Sequence, residues 1–168
     1  MSRRPSLLAL CLTLLAGQAE AAAPWQQESR DGDPFAVARQ GELELAVGCD
    51  DGRLVMTYAV PKAALAPELL ALPKVYLVLD YDGGGTGLYY FYQSRLRDGG
   101  THWLTEPIPK AIVENIRMLA AARTNIRVGL SAAEPEMGFT LLHEAWVASK
   151  GSQAAVKPAL QACGVPLK

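Results

Sequence analysis

"ELELAVGCDDGRLVMTYAV", residues 42–60, decides the fold. Asp51-Gly52 is a two-residue hairpin signal, because a type I′ turn needs positive φ at both central positions. With that turn at the centre, Cys49 faces Leu54, Val47 faces Met56, Leu45 faces Tyr58 and Leu43 faces Val60. All eight share one face of the hairpin, while Asp50, Glu44, Arg53 and Thr57 take the other. A slip of one residue would send the apolar set to water, so the register is firm.

Upstream, residues 24–34 ("PWQQESRDGDP") are polar and turn-rich, and suggest an extended lead-in with Trp25 tucked into the body. Downstream, 66–72 suits a short helix, with Pro67 near its start and Pro73 ending it. Residues 75–81 and 88–94 are strand-like. Ile112, Ile116 and Leu119 recur at i, i+4 and i+7, which predicts an amphipathic helix from about Pro109 to Arg123. Ile126, Val128 and Leu130 alternate with Arg127, Gly129 and Ser131, the pattern of a half-buried strand. Phe139, Leu141 and His143 alternate in a further strand. "HEAWVASK" then stands as an insert before "GSQAAVKPALQACG", a closing helix capped by Ser152 and ended by Gly164. Pro158 falls inside that helix and is expected to kink or shorten it. The class is α+β, mainly antiparallel β: a sandwich-like sheet of hairpins, one central amphipathic helix and a short C-terminal helix.

The first residues predict an exported protein. Arg3 and Arg4 supply a positive start, Leu7–Leu15 an apolar run, and Ala19, Ala21, Ala22 and Ala23 the small residues that signal peptidase needs. Cleavage near Ala23–Pro24 makes residues 1–23 a signal peptide and 24–168 a single β-rich globular domain. The expected location is the periplasm or the exterior. No later apolar run is long enough for a transmembrane helix, so no membrane insertion is expected after cleavage. A formal charge of −1 offers no electrostatic footprint for nucleic acid.

Cleavage removes Cys11 and leaves Cys49 and Cys163. An even pair in an exported chain predicts a disulfide, against the alternative of two buried thiols. The hairpin register puts Cys49 on the buried face, as a structural disulfide requires. Closing so long a loop is worth roughly 4–5 kcal/mol in the chain-entropy account.

"LDYDGGGTGLYYFY", residues 79–92, is the stretch with the most chemical potential. As a calcium loop it begins with Asp80 and Asp82 at positions 1 and 3, and Gly85 at position 6. Position 12 is Phe91, where a bidentate glutamate belongs. As a phosphate loop it lacks Gly-Lys-Ser/Thr and a following helix. Its glycines and aspartates suit a turn between two strands; a weak cation site and a ligand-contacting loop are the other two uses. The run Tyr89-Tyr90-Phe91-Tyr92 has no polar alternate face. Either both faces of its strand are covered or one presents tyrosines to a partner, with Tyr76 and Tyr81 beside them. Tyr89, Tyr90, Tyr92, Asp80 and Asp82 are therefore the candidate binding residues.

Signals for catalysis are few. The chain contains neither G-x-S-x-G nor S-x-x-K, and His143-Glu144 lacks the second histidine of H-E-x-x-H. No Cys/His cluster has zinc spacing, so neither a metal nor another cofactor is expected. The two histidines, His102 and His143, would need the fold to bring them to a carboxylate.

Three features resemble small exported bacterial proteins, the group that includes invasion-associated locus B-like proteins and periplasmic proteins associated with type VI secretion. They are a strand cysteine before a hairpin ("LAVGCDDGRLVM"), a late strand ("GFTLL") and a final helix bearing a second cysteine ("GSQAAVKPALQAC"). The resemblance implies a sandwich-like fold, the cysteine pair and an envelope location, and carries no catalytic residue. The favoured expectation is a non-enzymatic module that binds an envelope protein through the tyrosine strand. A small-ligand or glycan binder is the first alternative, and a hydrolase with a site assembled across the sheet the second.

Overall fold

The computed structural model describes residues 23–166 apart from 73, 82–84, 95–99, 106–112 and 133–139; for 62, 74, 85–94 and 100–105 the description stops at the backbone. The expected signal peptide, Asp82 and Phe139 lie outside the described residues.

Among the described residues, nine strands form one antiparallel ladder: β1 (Gln26–Arg30), β2 (Asp33–Gln40), β3 (Leu43–Asp50), β4 (Arg53–Pro61), β5 (Lys74–Tyr81), β6 (Gly85–Ser94), β7 (Gly100–Thr105), β8 (Ile126–Ser131) and β9 (Leu141–Val147). Their spatial order is β1-β2-β3-β4-β7-β6-β5-β8-β9. The described residues also form the helices α1 (Pro67–Ala71), α2 (Val113–Ala121) and α3 (Ser152–Ala162).

The central hairpin forms in the expected register, with Cys49 opposite Leu54, Val47 opposite Met56 and Leu45 opposite Tyr58. Its turn has φ of 48° at Asp51 and 74° at Gly52, which positive-φ residues accept at low cost. The same chemistry repeats upstream. Asp31 (φ 53°) and Gly32 (φ 96°) reverse the chain between β1 and β2. The extended lead-in is a strand paired in a hairpin with β2, and Trp25 tucks in. It is buried, its indole Nε1 donates to the Ala148 carbonyl at 2.6 Å, and its amide donates to the Lys150 carbonyl at 3.0 Å.

The ladder is too long to stay flat. Strand spacing would put β9 roughly 24 Å from β4 in a planar sheet, yet the Tyr58 hydroxyl on β4 lies 3.1 Å from His143 Nδ1 on β9. The sheet therefore folds over into two layers, as a sandwich does. Between them one core joins Leu45, Met56 and Tyr58 of the first layer to Leu77, Leu79 and Leu130 of the second. Helix α2 adds Ile116 and Leu119, and α3 adds Val156 and Leu160.

Three local expectations are corrected. The strand reading of 139–143 extends to Val147, so "HEAWV" is not an insert but most of β9. Leu142 falls between the residues that pair with β8, a bulge that shifts the register. Ser152 does not cap α3: Gly151 in the left-handed region precedes the helix, and the Ser152 hydroxyl donates instead to the Ala120 carbonyl at 2.9 Å. Helix α3 runs on through Pro158 to Ala162. Finally, the face of the hairpin expected to be polar carries a second apolar cluster of Phe35, Val37 and Ala46, and Thr57 is buried there too. Gly164 ends α3 with φ of 67°, as expected.

Candidate functional site

Pairing fixes which tyrosines can act together. Directly opposite residues of an antiparallel pair share a face. Tyr90 stands opposite Tyr76, Tyr92 opposite Lys74, and Tyr89 opposite Leu77. Leu77 is core, so the register assigns Tyr89 to the core side and separates it from Tyr90 and Tyr92. Tyr81 is also withdrawn from the expected cluster. It lies in the core, and its hydroxyl points at the Asn115 carbonyl on α2, 3.5 Å away.

The face away from the core is built in rows across β6, β5, β8 and β9. Thr86 stands opposite Asp80, Asp80 opposite Arg127, and Arg127 opposite Trp146. Leu88, Val78, Gly129 and Glu144 form the next row, and Tyr90, Tyr76, Ser131 and Leu141 the one after. Gly129 is required here: a Cβ would come within 2.7 Å of the His143 carbonyl and 2.8 Å of the Leu141 side chain. Asp80 is half-buried and faces Arg127.

Arg127 and Glu144 form an ion pair at 2.6 Å. The hydrogen bond holds the Glu144 carboxyl below the ordinary carboxylate range and the Arg127 guanidinium above its own, with Asp80 adding to the latter. Beside the pair stands Trp146, 48 % exposed. Sequence reasoning misses this residue because "HEAWVASK" reads as an insert. The available signal was the alternation Glu144, Trp146 against Ala145, Val147.

The cysteine pair is a disulfide. Cys49 and Cys163 are bonded with a Cα–Cα distance of 5.5 Å, linking β3 to the C-terminal end of α3. The strands that flank the glycine-rich stretch pair up to Tyr81 opposite Gly85, and residues 82–84, where the turn is expected, lie outside the described residues.

His143 meets no carboxylate at its described hydrogen bond. Its ring contacts Tyr58 edge-on, with centroids 5.9 Å apart, and burial pushes its basicity down. Burial likewise holds the Tyr58 phenol far above its ordinary value. Both shifts favour the neutral forms, and the Tyr58 hydroxyl and His143 Nδ1 share one hydrogen bond whose direction is set by the imidazole tautomer. By backbone register, His102 stands opposite Ala59, next to the Tyr58–Trp103 pair. An open groove of about 740 Å³ separates the end of α2 from the start of α3, lined by Arg123, Lys150 and Gln153 among others. None of the sequence-predicted site residues lines it. Among the described residues, no group of three or more His, Cys, Asp or Glu could hold a metal ion.

Among solved structures, the chain is similar to invasion associated protein B from Bartonella henselae. The TM-score is 0.54, and the match covers 84 % of this chain and 95 % of that one at 14 % identity. Its fold is of that kind. The likeness supports the resemblance carried by the strand cysteine, the late strand and the closing helix; at this identity it concerns fold alone. No protein-family description matches the sequence, and no curated protein matches it either.

Proposed function

We propose that this is an exported, non-enzymatic envelope protein, a disulfide-stapled β-rich module that binds another protein through the tyrosine strand β6 and the exposed part of the outer face at Glu144 and Trp146 on β9; Tyr76, Val78 and Ser131 between them are buried. Trp146 carries the reading. A half-exposed tryptophan on a strand beside an Arg–Glu pair has the composition of an interface hot spot, where tryptophan, tyrosine and arginine dominate. Tyr90 and Tyr92 lie on strand β6 of the same face by register. The disulfide supports export, because such bonds persist in oxidising compartments.

The test is affinity capture of the C-terminally tagged protein from its own organism, with the co-purifying envelope proteins identified by mass spectrometry. A near-stoichiometric partner is expected, lost when Trp146→Ala is combined with Tyr90→Ala and Tyr92→Ala. A folded triple variant that keeps the partner removes this surface. A second reading, a glycan binder, rests on the same ring, with Trp146 as a stacking platform and Asp80 as an acceptor. It predicts retention on purified cell-wall material by the protein and loss of retention by Trp146→Ala.

A further inference from the structure

The two ends of the ladder differ. Among the described strands, β1 and β9 are the terminal ones. Strand β1 is short and wholly polar, "QQESR". Its Glu28 and Arg30 are tied into a network with Arg39 and Glu44, in which Arg30 pairs with Glu44 at 2.9 Å and Arg39 with Glu44 at 2.6 Å. Short, charged edges are how proteins keep foreign strands from adding to a sheet. Strand β9 is longer and less charged, and its bulge lies near one end, at Leu142. "LLHEAWV" contains no proline and no lysine, and its one formal charge, Glu144, is already matched by Arg127. Alternate residues of a terminal strand turn their N–H and C=O away from the neighbouring strand. Among the described strands, β8 alone is hydrogen-bonded to β9.

Main-chain donors and acceptors repeating at strand intervals are met by one kind of ligand, an extended peptide. We propose that the open edge of β9 takes an extended segment of a partner protein as an added strand, with an aromatic or β-branched residue beside Trp146 and a lysine or arginine beside Glu144. The side-chain pattern follows from the outer face. Trp146 and Glu144 are two residues apart and both exposed, so cross-strand neighbours on the added strand are also two apart. An aromatic or β-branched neighbour covers the indole, and a cation meets a carboxylate that stays ionised because Arg127 holds it so. A second copy of the chain is a poorer occupant. Antiparallel self-pairing centred on β9 sets Glu144 against its own copy, and like charges opposite each other destabilise a ladder. The proposal rests on the binding-module reading and specifies how that face takes its partner.

The test uses the exported full chain and a displayed library of linear, cysteine-free peptides. Selected peptides are expected to carry an apolar residue and a basic residue two positions apart. Amide hydrogen exchange with bound peptide should slow within 141–147 and leave 26–30 unchanged. N-methylation along the peptide should weaken binding roughly tenfold at alternate positions only, each lost main-chain bond being worth about that much. Trp146→Lys, a change at an exposed site, should weaken it comparably while thermal unfolding stays as in the parent. Protection elsewhere, an N-methyl scan without period two, or a library without binders each overturns the docking edge. So does a dimer that buries 141–147 in the protein alone. If affinity capture still yields a partner in any of those cases, the binding-module reading stands and only the edge falls.

Discussion

Gln27 stands in for an amide that Pro158 lacks. In a regular helix the N–H of residue 158 would donate to the carbonyl of Ala154, four residues back, but proline has no N–H. The Gln27 side chain on β1 donates to that carbonyl through Nε2 at 2.9 Å. The helix passes through the proline, and its freed carbonyl is met by the neighbouring strand. Gln27→Ala is expected to lower stability by about 0.5–1.5 kcal/mol, the net worth of one hydrogen bond at an exposed site. In a Pro158→Ala background the carbonyl regains an intrahelical donor, and the same substitution should cost little. Urea unfolding of the four proteins measures the coupling; equal costs in both backgrounds would show that the contact does not compensate the proline.

This pair also shows where sequence reading stops. Pro158 was visible as a helix breaker by local rules, but its compensation comes from a residue more than a hundred positions away, which no local pattern reports. The central hairpin was legible because turn chemistry and a period-two pattern agreed at residues 42–60. Strand β2, "DPFAVARQ", was missed because its alternation is blurred: Phe35 and Val37 on one face are as buried as Ala36 and Ala38 on the other. The tyrosine run likewise could not be divided between faces until pairing with Leu77 and Tyr76 fixed it. Trp146 escaped notice because the Leu142 bulge breaks the alternation that would have carried β9 forward from Leu141.

The disulfide joins a buried cysteine on β3 (2 % exposed) to the end of α3 across 114 residues of chain. Its removal should cost roughly 2–5 kcal/mol. Because α3 packs on β2 and β3, the loss is expected to appear as an earlier global transition rather than a loosened tail. Thermal melts with and without reductant, and of Cys49→Ser with Cys163→Ser, check this. An unchanged midpoint on full reduction, confirmed by alkylation and intact mass, would contradict it.

His143 gives stability a pH dependence of known sign. Burial lowers its basicity below the ordinary imidazole value of 6.5, so the unfolded chain takes up its proton at a higher pH than the folded one. Stability then falls as pH drops through about 6.5 toward the folded value, and is fully present above 6.5. His143→Gln should flatten this part of the profile, while Tyr58→Phe should cost about 1 kcal/mol at neutral pH by removing the hydroxyl that hydrogen-bonds Nδ1. Denaturant midpoints from pH 5 to 8 decide the matter. A wild type that gains stability on acidification through this window would reverse the assignment of the neutral ring.

Gly48 is held by the Phe35 ring. A Cβ on residue 48 would lie 2.3 Å from Phe35 Cδ1 and Cε1, and the ring has little freedom to leave. Arg30 covers it with Cζ 4.9 Å from the centroid, and Phe35 is itself buried beside Val37 and Ala46. Gly48→Ala should therefore cost about 1–3 kcal/mol through overpacking, although alanine is otherwise the easier residue to order in a strand. The discriminating experiment is rescue. Phe35→Leu alone loses ring packing, but Gly48→Ala with Phe35→Leu should be more stable than the sum of the two single effects. Strictly additive unfolding free energies would mean that the ring and the glycine do not meet in solution.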